Sequence, residues 1–233
     1  MIIKIKYQND DKIYDFNSFN EITNYNNVVS IYCRHNQLTS LPKLPKSLEY
    51  LYCRYNKLTS LPKLPKSLEY LYCSFNKLTS LPELPNSLQY LQCYCNQLTS
   101  LPKLPKSLEI LKCNNNKLTE LPELSNSLQE LDCNNNQLNS LPELPNSLQI
   151  LMCYSNLLTV LPKLPNSLKR LYCSYNKLTS LPELPNSLQQ LYCHNKLNSL
   201  PELSNSLQYI RTGYNKLIKK KYKYLDNIIY MYF

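Results

Sequence analysis

Apolar residues return along this chain on two nested periods. In SLEYLYCRYN, residues 47–56, Leu51 and Cys53 alternate with Tyr50, Tyr52 and Arg54, the period of two that a β-strand imposes. Leu51 and Cys53 are expected to face a core, and the tyrosines and the arginine to face out. The stretch then recurs every twenty residues. Units begin at Leu41, Leu61, Leu81, Leu101, Leu121, Leu141, Leu161 and Leu181, and read L-P-x-L-P/S-x-S-L-x-x-L-x-C-x-x-N-x-L-T/N-S. A half unit, VVSIYCRHNQLTS, precedes them, and LPELSNSLQYIRTGYNKL follows from Leu200. One residue is missing in LYCHNKLNS, where Cys193 and Asn195 are two apart instead of three. From Ile31 to Ile210 the pattern predicts ten strands.

One such unit cannot bury its apolar face alone, so the units must stack in register. The return path, as in LTSLPKLPKSL, carries two prolines per unit. Proline fixes φ and is excluded from helix interiors, so this side is expected to be extended or polyproline-like. The fold predicted is a β-dominated solenoid. A parallel sheet of about ten strands lies on its concave face, and extended Pro-rich segments lie on its convex face.

The consensus resembles the leucine-rich repeat, L-x-x-L-x-L-x-x-N/C-x-L. More narrowly it resembles the short bacterial-type (YopM/IpaH-like) form, L-P-x-L-P-x-x-L-x-x-L-x-V-x-x-N-x-L, over about residues 28–217. Two departures stand out. The valine of that form is mostly Cys here, and neither its N-terminal helical hairpin nor a C-terminal ubiquitin-ligase domain is recognisable. The resemblance implies protein recognition, with a role in host–pathogen interaction.

Nine cysteines occupy the ladder position, from Cys33 every twentieth residue to Cys193, and Cys95 stands outside it. Ladder thiols on adjacent parallel strands point the same way, poor geometry for disulfides, and a straight column does not converge as a zinc site requires. The two histidines, His35 and His194, lie at opposite ends. The cysteines are read as small buried hydrophobes, with no metal and no cofactor, and Cys95 as partly exposed. The asparagine column, Asn36, Asn56 and onward to Asn195 and Asn215, is expected to satisfy backbone groups of its own and the next unit.

The outward strand positions are the candidate partner-binding residues: Tyr32, Arg34, Tyr50, Tyr52, Arg54, Tyr70, Tyr72, Tyr90, Tyr172, Tyr192 and Arg211. Tyr32, Tyr52 and Tyr72 should form one column, with Tyr50, Tyr70 and Tyr90 beside it. Tyr and Arg are the residues enriched at binding hot spots; stacked tyrosines also stabilise a sheet as cross-strand neighbours. The middle of the face changes to Glu130 and Asp132.

Charge alters this picture moderately. The net charge is +10, with 26 basic and 16 acidic residues. Residues 34–117 carry 12 basic and 4 acidic side chains, residues 118–162 carry five acidic and none basic, and residues 163–233 carry 11 basic and 3 acidic. A basic excess favours anionic partners, so nucleic-acid or other polyanion binding is the alternative to a protein partner. The acidic island argues against a continuous phosphate track. The rows containing Lys43, Lys63 and Lys103 and Lys46, Lys66 and Lys106 fall on the return side and read as a solvated face. Catalysis has little support: one glycine in the chain excludes Gly-rich nucleotide cradles, and no nucleophile–base constellation appears. The chain is read as no enzyme.

Residues 1–27 are expected to form an N-terminal cap, a β-hairpin turning at Asn9-Asp10-Asp11 and a short helix capped by Ser18 and Glu21. Residues 28–217 form the solenoid, and residues 218–233 a C-terminal cap. MIIKIKYQND holds no apolar run long enough for a secretory signal, and NIIYMYF is far short of a membrane span. An intracellular, cytoplasmic location is predicted. Lys219, Lys220, Lys221 and Lys223 form a weak nuclear-targeting pattern.

Overall fold

A computed structural model describes residues 1–213 and falls into two units, Met1–Lys117 and the part from Leu118 onward. The first unit opens with strands β1 (Ile3–Tyr7) and β2 (Ile13–Phe16) and two single 3-10 turns, Phe19–Glu21 and Tyr25–Asn27. It continues with β3 (Val28–Tyr32), β4 (Tyr50–Tyr52), β5 (Tyr70–Tyr72), β6 (Tyr90–Gln92) and β7 (Ile110–Lys112). The second unit holds β8 (Glu130–Asp132), β9 (Ile150–Met152), β10 (Arg170–Tyr172), β11 (Gln190–Tyr192) and β12 (Tyr209–Arg211). The ten strands β3–β12 are those the pattern predicts. Within each unit successive rungs pair in parallel with the repeats aligned, as in Tyr50↔Tyr70, Leu51↔Leu71 and Tyr52↔Tyr72.

The rungs of β4 to β10 bury the same set. Leu48, Leu51, Cys53 and Leu58 are all at 0% exposure, and their counterparts repeat this from rung to rung. Each buried leucine contributes roughly 1.5–3 kcal/mol, but only because a neighbouring rung covers it. The return segments carry no regular structure, as two prolines per unit require. Among the described residues no helix is long and apolar enough to cross a membrane.

Two side-chain ladders supplement the sparse backbone hydrogen bonds of the return path, such as Leu68 N–H to the Pro65 carbonyl and Lys57 N–H to the Leu38 carbonyl. Asn56 Nδ2 donates to the carbonyls of Cys33 (2.8 Å) and Cys53 (3.0 Å), and its Oδ1 accepts the N–H groups of Asn36 and Leu38, both at 3.0 Å. The amide therefore ties its own unit to the preceding one, not to the next as the sequence suggested. The chain turns back after the strand, which carries the side chain toward the rung already laid down. The second ladder is serine. Ser67 Oγ donates to the carbonyls of Lys46 (2.8 Å) and Leu48 (2.7 Å), and Ser87 and Ser107 repeat the bond one rung further each time.

The turn between cysteine and asparagine is left-handed. His35, Tyr55, Phe75, Cys95, Asn115, Asn135, Ser155 and Tyr175 all have φ between 51° and 56°, a region that costs a non-glycine residue about 1–2 kcal/mol. The shortened rung lacks this residue: His194 runs straight into Asn195. The only glycine, Gly213, has φ +68°, and a Cβ there would meet the His194 ring at 2.4 Å.

At the N-terminus β1 pairs antiparallel with both β2 and β3, giving the first parallel strand a partner on its outer edge. Asn36 has no complete unit before it and instead exchanges bonds with Ile2, N–H to Oδ1 at 2.9 Å and Nδ2 to carbonyl at 2.7 Å. The expected capped helix is a single 3-10 turn. Ser18 makes no side-chain cap bond, and Glu21 accepts the N–H of Asn17 at 2.9 Å. Ile22 is buried in extended backbone and stops the helix there. The predicted C-terminal cap at 218–233, the lysine run at 219–223 and Asn215 lie outside the described residues.

Candidate functional site

In the first unit the outward tyrosines form two columns because β3–β6 are in register. Tyr32–Tyr52 and Tyr52–Tyr72 stack with centroids 4.6 Å apart and planes within 9°, and Tyr50–Tyr70 stack at 4.7 Å and 10°. Ring faces are thus turned toward one another, and edges and hydroxyls are left at the rim of each stack. The columns change at β6, where Gln92 stands in the place of Tyr52 and Tyr72. Tyr90 leans into the gap, 5.1 Å from Tyr72 at 32°, and its hydroxyl accepts from Gln92 Nε2 at 2.9 Å.

Arg54 ties these pieces together. Its guanidinium carbon lies 5.5 Å from the Tyr72 ring centroid, a cation–π distance, and its Nη1 donates to Gln92 Oε1 at 3.2 Å, two rungs away. Arg34, at the same position one rung earlier, is exposed. Burial, with neighbouring phenols second, raises the Tyr52 hydroxyl and pushes Tyr72 up to about 12. The phenols therefore stay neutral donors at physiological pH.

The sequence did not reveal Gln92 or a third aromatic row along the left-handed turn. His35–Tyr55 and Tyr55–Phe75 stack at 4.3 and 4.2 Å, and Phe75 meets Tyr94 edge-on. The break from Tyr52 and Tyr72 to Gln92 was the visible signal for the first. The second follows from reading residues 35, 55 and 75 as one position of the repeat. Cys95 sits in this row, half-buried, and burial raises its thiol pKa.

The second unit holds Tyr172, Tyr192 and Arg211. Tyr172–Tyr192 stack at 4.6 Å. Tyr209 aligns with Gln190 but leans to Tyr192 at 4.9 Å, as Tyr90 leans to Tyr72. Burial and a hydrogen bond with Tyr209 push the Tyr192 hydroxyl up to about 12. A cavity of about 160 Å³ opens here, with Tyr154, Tyr172, Tyr192, His194 and Arg211 among its walls.

None of the nine ladder cysteines is in a disulfide, and all are fully buried. Burial pushes Cys33, Cys93, Cys153 and Cys193 up to about 12, and raises Cys53, Cys73 and Cys173 well above 9.0. Such thiols are poor nucleophiles. Among the described residues no three His, Cys, Asp or Glu side chains are grouped to hold a metal ion.

Comparison with known proteins matches this architecture. The family description "Leucine Rich repeats (2 copies)" fits residues 46–86 and 66–106, and "Leucine Rich Repeat" fits 127–149 and 167–191. YopM, a leucine-rich effector protein from Yersinia pestis, is 32% identical with a TM-score of 0.55, over 81% of this chain and 72% of that one. The chain belongs to the leucine-rich-repeat family. YopM from Yersinia enterocolitica WA-314 is 44% identical with a TM-score of 0.80, over 81% of this leucine-rich-repeat chain but only 42% of its own length. The functional domain of InlJ from Listeria monocytogenes, which includes a cysteine ladder, is 25% identical with a TM-score of 0.51, over 82% of this chain and 54% of that one. No curated protein sequence matches this leucine-rich-repeat chain.

Proposed function

We propose that this leucine-rich-repeat protein is a non-enzymatic recognition scaffold. It captures a protein partner on the tyrosine–arginine face of its sheet. The observation that carries the reading is the stack Tyr32–Tyr52–Tyr72, half-buried, with planes within 9° of one another. Side chains already fixed in this way lose little conformational freedom on binding, so contact energy is not offset by ordering. Likeness to a Yersinia effector supports action inside a cell, as an adaptor or effector in host–pathogen interaction. The N-terminal hairpin serves as the cap of the array.

The test is capture from the native cell at low and high salt. The variant Tyr52→Ala/Arg54→Ala/Tyr72→Ala should lose the partner while keeping its circular dichroism spectrum, and Lys63→Ala/Lys66→Ala on the return side should retain it. Capture unchanged in the triple variant refutes the assignment. The net charge of +10 favours a second reading, polyanion binding. That reading requires log affinity to fall linearly with log salt and the lysine variant to be the weaker of the two.

A further inference from the structure

The face proposed above carries two arginines whose charge nothing beside them answers. Arg34 and Arg54 each follow a buried cysteine, and the register Tyr32↔Tyr52 sets them side by side on adjacent rungs, about 5 Å apart at the backbone. The outward positions of β3–β6 are Ser30, tyrosines and Gln92, with no carboxylate among them. Glu49 and Glu69 lie at the other end of the strands, near Tyr50, roughly 16 Å from the arginines along an extended chain.

Arg54 is also held in an unusual state. Gln92 and the Tyr72 ring fix it, yet its Nε–H is buried with no acceptor. Ser74, next in the same column, is at 0% exposure and its Oγ likewise has no partner. Stranded buried polar groups are rare in folded proteins and call for an explanation beyond packing.

We propose that Arg34 and Arg54 form an oxyanion-binding pair, taking a carboxylate or phosphoryl group carried by the partner protein. This rests on the scaffold reading of the same face and names what the partner must present there. Guanidinium groups are planar forks that bind such groups in a bidentate way. Arg54 is preorganised by Gln92 and Tyr72, and the exposed Arg34 closes from the adjacent rung. A protein is favoured over a single-stranded nucleic acid because base binding needs open aromatic faces. The faces of Tyr32, Tyr52 and Tyr72 are turned to one another.

The experiment follows the arginine Nε–Hε signals of the ¹⁵N-labelled full chain. Four probes are added up to millimolar concentration: a short Tyr-Glu-Glu-Tyr peptide, its phosphoserine counterpart Tyr-pSer-Glu-Tyr, inorganic phosphate, and oligo-dT. The pair predicts saturable shifts at Arg34 and Arg54 with at least one peptide, and none at Arg170. The stronger peptide identifies carboxylate or phosphoryl as the natural group. Arg34→Gln should weaken that binding about tenfold or more, the scale of a lost charge-assisted pair, without changing the near-ultraviolet signal of the tyrosine stack. Absence of a saturable peptide shift, equal shifts at Arg170, or tighter Arg34-dependent binding of oligo-dT each overturns the proposal. If Tyr52→Ala/Tyr72→Ala abolishes native partner capture while Arg34→Gln does not, the oxyanion pair fails and the scaffold reading stands. If neither variant reduces capture, both fail.

Discussion

Removing one rung of the asparagine ladder should cost more than any exposed substitution on this protein. Asn156 is the clearest case because it is only 6% exposed. Its Oδ1 accepts the Leu138 N–H at 3.0 Å, and its Nδ2 donates to the carbonyls of Cys133, Cys153 and Tyr154 at 3.1, 3.2 and 3.3 Å. Asn156→Ala strands one buried N–H, at about 1–3 kcal/mol, and leaves the carbonyls short of a donor. The sum expected is about 2–4 kcal/mol. In a urea titration followed by circular dichroism this moves the midpoint down by roughly 1 M, for a slope of about 2–3 kcal/mol per M. Asn166, exposed on the return side, is the control, and Asn166→Ala should stay within about 0.5 kcal/mol. Because each rung contacts only its neighbours, amide exchange at Leu138 should rise about a hundredfold while exchange in β3 and β4 is unchanged. Asn156→Asp adds an internal check. The carboxylate keeps the Leu138 bond but sets a charged oxygen against the three carbonyls of Cys133, Cys153 and Tyr154, so its folded pKa lies above the unfolded value and stability should rise as pH falls. An Asn156→Ala cost indistinguishable from that of Asn166→Ala would refute the ladder argument.

Alkali should unfold the protein through its thiols. Below about pH 9 they are neutral whether folded or not; above it the unfolded chain ionises while Cys33, Cys53, Cys73, Cys93, Cys153, Cys173 and Cys193 do not, since burial raises each of them. Stability then falls between pH 9 and about 12, by ~1.4 kcal/mol per pH unit per thiol, and a folded circular dichroism spectrum persisting at pH 11 would contradict this. Gly213→Ala places a Cβ 2.4 Å from the His194 ring at φ +68°, so thermal stability should drop by about 1–3 kcal/mol, with His194→Ala restoring part of it in the double variant; an unchanged Tm would dispose of that contact. Tyr175 is 63% exposed at φ 56°, where asparagine fits better. Tyr175→Asn should leave stability unchanged or raise it by about 0.5 kcal/mol, and a clear loss in urea titration would show that its contact with His194 outweighs the strain.

Much of this fold could be read from the sequence because a repeat reports each position many times over. The inward leucine and cysteine of Leu51 and Cys53 return on nearly every rung with one outward position between them, so one assignment of inside and outside placed Tyr32, Tyr52 and Tyr72 in a column. What escaped depends on geometry within a turn or across rungs. The asparagine bonds run backward even at Asn195, which no left-handed residue precedes, and nothing in Tyr55, Phe75 or Ser155 announces the left-handed turn of the other rungs. The serine ladder was present as an unvarying Ser in every return segment, but its acceptor carbonyls are twenty residues away. Arg54 reaches Gln92 over 38 residues of sequence, a contact visible only once the rungs are stacked. The Ser18–Glu21 helix signal was overridden when Ile22 was drawn into the core.

The claim that the sheet face is where a partner sits is tested most directly by photo-crosslinking in the native cell. A benzophenone amino acid placed at Tyr52 should give a discrete crosslinked species, and the same group at Lys66 on the return side should give none. Crosslinks at Lys66 and none at Tyr52 would contradict the account.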